Sequence, residues 1–197
     1  MVMAQEFDEL GAGLRTWQVY DPAVKVELFS TALEIRAGTF IVDPVSLAAD
    51  LAEDFHNVTG VVVTNANHHR ASAEFAQRFN VPIYARAESF GDARPPSFHD
   101  LDQNPHPHGE LQSVAIEGAA PGEIALCVNR SLIVGDALIN AEPYGFTFLP
   151  AKYCIDFKRM RQSLRQLVEL DFDRILFAHG MPIISRAHAR LTQLFEQ

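Results

Sequence analysis

The sequence predicts an α/β (α+β) fold: a four-layer αββα sandwich of two mixed β-sheets, built as one domain over residues 1–197. Three observations carry this. Strand-like segments fall into two blocks, and each block is followed by amphipathic helical segments, the pattern of sheets packed face to face with helices outside. The first block closes on a βαβ unit. The length, 197 residues, supports one sizeable core and is short for two ordinary domains.

The N-terminal part reads as a β meander. Trp17 to Val19 and Val24 to Phe29 flank an Asp21-Pro22 turn, and Ala32 to Ile35 and Thr39 to Val42 flank Gly38. At Asp43-Pro44 the period changes: Asp43 suits a helix cap, and Leu47, Leu51 and Phe55 form an apolar stripe. The run from Gly60 to Thr64 is rich in valine, as expected of a strand buried on both faces. A helix over Ala71 to Phe79 and a strand over Val81 to Ala85 complete the βαβ unit, so its strands should be parallel.

Residues 86–112 are rich in proline, glycine and histidine and read as a long surface loop, with His106 and His108 solvated in it. Strands follow over Ser113 to Ile116, Glu123 to Val128 and Ser131 to Val134, the last two joined by a tight Asn129-Arg130 hairpin. Residues 156–169 predict a helix with Phe157, Met160, Leu164, Leu167 and Val168 on one stripe. A strand over Arg174 to Ala178 and a final helix after Ser185 end the chain.

Composition narrows the function. The net charge of −9 disfavours nucleic acid and anionic membrane partners. The acidic start lacks the apolar run of a signal peptide, and no stretch reaches the roughly 20 apolar residues of a membrane helix. A cytoplasmic location is expected. Cys127 and Cys154 form no close-spaced motif, and Cys127 reads as a buried free thiol.

Four segments, in order, resemble the metallo-β-lactamase superfamily. They are Phe40 to Pro44, Val63 to Arg70 at the place of a Thr-His-x-His-x-Asp-His motif, Gly118 to Gly122 with the later Gly135-Asp136, and Phe177 to Gly180. The resemblance spans residues 15–197 and implies the αββα fold. It also implies a cleft that in the family holds two metals, usually zinc, and hydrolyses substrate with a bridging hydroxide.

Carried across by position, the resemblance places Asn65, Asn67 and Ala119 at the first-metal histidines, His69 and Arg70 at the second-metal aspartate and histidine, and Asp136 and His179 at retained ligands. Amides are poor zinc ligands and alanine is none, so no dinuclear centre is expected. Two readings of the remainder compete. In the favoured one Arg70 replaces the metal by pairing with Asp136, no cofactor is bound, and the domain is a pseudoenzyme or a small-molecule-binding domain. In the other, His69, Asp136 and His179 hold one zinc or iron ion and the protein hydrolyses an ester or thioester. A metal-free interaction protein is the third possibility. The lack of a further domain argues against glutathione-thioester, nuclease or flavoprotein roles.

Overall fold

The computed structural model describes residues 3–196. The first sheet has seven strands in sequence order. β1 (Asp8–Gly11), β2 (Leu14–Asp21), β3 (Val26–Ile35) and β4 (Gly38–Val42) form the antiparallel meander. β5 (Val58–Val62), β6 (Ile83–Ala85) and β7 (Phe98–Asp100) continue it in parallel, with α1 (Ala49–Ala52) before β5 and α2 (Ser72–Phe79) before β6. The second sheet contains β8 (Gln112–Ala115), β9 (Ile124–Val128) and β10 (Ser131–Val134). A hairpin, β11 (Leu138–Ala141) and β12 (Gly145–Phe148), and α3 (Phe157–Leu164) precede β13 (Arg174–Phe177), which pairs parallel to β10. α4 (Ala187–Glu196) follows it.

The two-residue alternation of the strands sorts side chains into three interlayer cores. Ile41, Val61, Val63 and Ile83 leave the first sheet outward and pack with Phe55 and with Phe75 of α2. Phe40, Val42 and Val62 point inward and meet Ile124, Leu126, Ile133 and Leu176 of the second sheet. Leu132, Val134, Ile175 and Phe177 leave the second sheet outward and pack against Met160 and Leu164 of α3 and Leu191 and Leu194 of α4. Three apolar interfaces between four layers are the αββα sandwich.

Several local expectations need correction. Asp43 caps no helix: it has φ +47, and α1 covers only four residues. The sequence from Pro44 buries Val45 and Leu47 as extended chain against Ala4 instead. The two segments Val24 to Phe29 and Ala32 to Ile35 are parts of the single strand β3. Residues 86–112 carry a 3₁₀ turn over Ala87–Ser89 and β7, and in them the His108 ring lies beside Phe40 and bonds the Tyr84 hydroxyl at 3.0 Å. The helix over 156–169 is α-helical to Leu164 and 3₁₀ over Arg165–Glu169. Cys127 is a free thiol and only partly buried.

One consequence of the topology positions the site. β4 and β5 run parallel to each other, as do β10 and β13. Asp43, Thr64, Asp136 and His179 follow the carboxyl ends of these four strands. In open α/β sheets, crevices outside the carboxyl ends of strands are where ligands bind.

Candidate functional site

The centre of this edge is His68. It is 2 % exposed and lies between two carboxylates, with Nδ1 at 2.8 Å from Asp43 Oδ2 and Nε2 at 3.1 Å from Asp136 Oδ1. Asp43 accepts from the Thr64 backbone N–H at 2.8 Å and from the Thr64 hydroxyl. Because the Thr64 hydroxyl gives its proton to Asp43, His68 Nδ1 must be the donor toward both Asp43 and Thr64 Oγ1, 2.9 Å away.

Asp136 is the second focus. Its Oδ1 faces His68 Nε2 and also His179 Nε2, at 3.2 Å. Its Oδ2 accepts from the side-chain amides of Asn65 at 3.2 Å and Asn67 at 3.0 Å. His179 Nδ1 donates to the Glu27 carbonyl at 3.3 Å. Candidate ligand atoms of His68, Asp136 and His179 thus lie within 4.8 Å of one another. The Asp136 and His179 side chains are 11 % and 17 % exposed and open the centre to solvent, whereas His68 closes it from behind.

The electrostatics follow from burial against charge. Although burial opposes ionisation of Asp43 and Asp136, the His68 charge and hydrogen bonds hold both carboxyls down, Asp136 well below the usual range. For His68, burial and the Arg70 charge pull down, but Asp43 and Asp136 outweigh them and lift the imidazole to about 9. Glu123, with no exposed surface, is pushed up to about 8 by burial and then by the Asp136 charge.

His69 is not in this cluster. Its Nε2 lies 2.7 Å from the Ser89 carbonyl and its ring stacks on Phe90 at 4.2 Å, on the other side of the turn. The reason is local turning: hydrogen bonds from His68 N to Asn65 O and from Ser72 N to His69 O close two successive turns over residues 65–72, with Arg70 at φ +37, so the adjacent side chains of His68 and His69 point apart. Position counting along an extended motif selects His69; the wound turn presents Asn65 and His68 on one face.

Arg70 does not bond Asp136 either. Its guanidinium donates to the carbonyls of Phe29 at 2.7 Å, Asp43 at 3.1 Å and Ala178 at 3.4 Å. Asp136 already has four polar neighbours, and Arg70 instead adds a donor to the Phe29 carbonyl of β3 and to the carbonyls of Asp43 and Ala178, which also accept from the Ser30 hydroxyl and the Phe29 N–H. Ala119 is fully buried and apolar, and Asn67 is at the surface. In the sequence Asp43 suits a helix cap, whereas in the structure it accepts from His68 and Thr64; Glu123 is a further buried group of the site. The sign of Glu123 in the sequence is one carboxylate opening an otherwise apolar strand, a residue that cannot be buried without partners.

Residues 11–197 match the metallo-beta-lactamase superfamily. The chain belongs to that superfamily. Solved structures agree at the level of fold. TMB-1 superposes with a TM-score of 0.75 at 14 % identity, covering 100 % of this chain and 98 % of that one. FIM-1 from Pseudomonas aeruginosa, in its mono-zinc form, gives 0.72 at 18 % identity over 99 % and 96 %. An archaeal superfamily protein from Sulfolobus tokodaii gives 0.71 at 15 % identity over 95 % and 86 %. Comparison with curated proteins finds no match. No helix among the described residues is long and apolar enough to cross a membrane.

Proposed function

We propose that this protein is a hydrolase-like member of the superfamily with a centre for a single metal ion, zinc or iron, held by His68, Asp136 and His179, and that it acts on an ester or thioester. The observation that carries this is the orientation of the two imidazoles. Each spends Nδ1 as a donor, His68 on Asp43 and His179 on the Glu27 carbonyl, so each ring aims Nε2 at the same oxygen of Asp136, and in the neutral form of either ring that nitrogen carries a lone pair. Lone pairs facing a carboxylate repel unless a cation is shared among them. Donation of the other ring nitrogen to a carboxylate or carbonyl is how metal-binding histidines are held.

The donor set fits one metal and not two. Asn65 and Asn67 turn amide N–H groups, which cannot ligate, toward Asp136, and Ala119 offers no donor. A bound zinc or iron would supply Lewis acidity and a water of lowered pKa. His68 at about 9 means that at pH 7 a proton competes for the site. That competition is roughly a hundredfold in affinity, or about 3 kcal/mol. Structural zinc sites in zinc-finger peptides bring about 10–16 kcal/mol, well above such a competition. The mono-zinc form of FIM-1 supports a one-metal state on this fold.

Zinc binding followed by calorimetry on chelator-treated protein should show one equivalent per chain. His68→Ala should abolish it, and His69→Ala should leave it intact. Two equivalents, or loss with His69→Ala and not with His68→Ala, would refute the reading.

A second reading, a metal-free domain that binds a small molecule, is favoured by the completeness of the proton-filled centre. With His68 protonated, the charges of Asp43, Asp136, His68 and Arg70 cancel, and Asn65 and Asn67 satisfy the remaining oxygen of Asp136. Absence of zinc binding at micromolar metal selects this reading.

A further inference from the structure

We propose that Glu123 is the positioning residue of this centre, a fully buried carboxylate that fixes Asp136 from behind by clamping both of its flanking supports. The inference rests on the single-metal reading and deepens it.

Glu123 stands just before β9, with no exposed surface. Its Oε2 accepts from Asn65 Nδ2 at 2.6 Å, and its Oε1 accepts from the backbone N–H of Ala137 at 3.0 Å. Asn65 Nδ2 is the group that also donates to Asp136 Oδ2, at 3.2 Å, and Ala137 follows Asp136 in the chain. One carboxylate therefore sets the side chain that holds Asp136 and the peptide that carries it.

The neighbouring backbone is shaped to the clamp. A Cβ on Gly135 would lie 2.7 Å from Glu123 Oε1, 2.7 Å from Thr64 Oγ1 and 3.0 Å from Asn65 Nδ2, so a side chain there would push on both Glu123 and Asn65. Both Glu123 oxygens accept, the pattern of an ionised carboxylate. Yet burial and the Asp136 charge lift the group to about 8, so the arrangement carries an electrostatic cost. Glutamine in its place keeps the shape and one acceptor, and turns an N–H against one of the two donors.

The test is zinc affinity on the full chain, by competition with a chromophoric chelator, for wild type, Glu123→Gln, Asn65→Ala and the double variant. Loss of a group that orients a ligand typically weakens metal binding about 10–100-fold, and that loss is expected for Glu123→Gln. The double variant should lose less than the product of the two single losses, because Glu123 acts largely through Asn65. The cobalt-loaded protein should show a shifted d–d envelope in Glu123→Gln at saturation, a signature that loss of stability alone does not produce. If Glu123→Gln folds poorly, Gly135→Ala displaces the same clamp and should also weaken zinc. Wild-type zinc affinity and an unchanged cobalt spectrum in Glu123→Gln, wild-type affinity in Gly135→Ala, or multiplicative losses in the double variant would each overturn the inference while leaving the one-metal reading standing. Failure of the wild type to bind zinc overturns both.

Discussion

The side of the centre built from Asn65 and Asn67 presents hydrogen-bond donors to Asp136, whereas the side built from His68 and His179 presents ring nitrogens. Both sides grip one carboxylate, one oxygen each. The amide side is complete with no cation. The imidazole side is complete only when a proton or a metal lies between nitrogen and oxygen. The difference places any cation chemistry on one half of the cleft and structural support on the other.

The largest expected effect comes from removing the anchor of the imidazole side. Asp43→Ala leaves His68 buried beside one carboxylate in place of two. Breaking a buried ion pair in this way typically costs about 3–5 kcal/mol, to be read from urea unfolding of the metal-free protein. A cost under about 1 kcal/mol, the value for exposed pairs, would mean that the His68 side is solvated and the comparison collapses.

The dependence on pH sharpens the same contrast. His68 is raised from 6.5 to about 9 on folding, so its contribution is fully present below pH 6.5 and is lost as pH rises toward 9. The difference is worth about 3 kcal/mol. Glu123, raised from 4.5 to about 8, acts in the same direction, its contribution being lost between pH 4.5 and 8. Asp43 and Asp136 are lowered and cost stability only below about their ordinary carboxylate range. Metal-free protein should therefore lose stability steadily between pH 6.5 and 9, and saturating zinc should remove the His68 part of the slope. A metal-free urea midpoint that rises over this interval contradicts the charged His68.

Arg70→Lys tests the staple rather than the centre. Arg70 ties Phe29 and Asp43 of the first sheet to Ala178 of the second. A lysine ammonium cannot reach all three carbonyls with the geometry of a planar fork. The Asp43 and Ala178 carbonyls keep the Ser30 hydroxyl and the Phe29 N–H as donors, so the loss falls mainly on the Phe29 carbonyl and should be about 1 kcal/mol. Zinc affinity should stay near wild type, since the guanidinium bonds none of His68, Asp136 and His179.

Much of this architecture is legible in the sequence. Val61, Val62 and Val63 report a strand buried on both faces, and the alternation through Ile124 to Val128 and Leu132 to Val134 assigns each face of the second sheet. Asp136 and His179 are legible because they directly follow strands that end at the same edge. His68 is not, because motif spacing counts residues while the wound turn after Asn65 decides which side chain faces inward. The hairpin β11–β12 lacks a turn signal of the Asn-Gly kind, since its bend is Glu142-Pro143-Tyr144. Asp43 and Glu123 were opaque for a shared reason: their roles lie in partners 25 and 14 residues away, which no local pattern encodes.

The smallest expected effect separates the two amides of the supporting half. Asn65 is fully buried and donates to both Glu123 and Asp136, whereas Asn67 sits at the surface and donates only its side-chain amide to Asp136 at 3.0 Å. Its own backbone N–H returns a bond to Asn65 Oδ1 at 2.8 Å, which a substitution of the Asn67 side chain leaves in place. When Asn67→Ala removes the amide, water can reach Asp136 Oδ2 from the open side and replace the lost donor. A hydrogen bond to a charged group is worth about 1.5–3 kcal/mol when nothing replaces it, and replacement by water should bring the loss below about 1 kcal/mol. Asn65→Ala has no such remedy, because it empties a position closed to solvent and leaves Glu123 and Asp136 facing each other without the amide between them. Urea unfolding of the two variants side by side should therefore show Asn65→Ala as the more destabilised, by about 1–3 kcal/mol. Equal losses would show that solvent does not reach Asp136 past Asn67, and the open side of the centre would then have to be sought at His179.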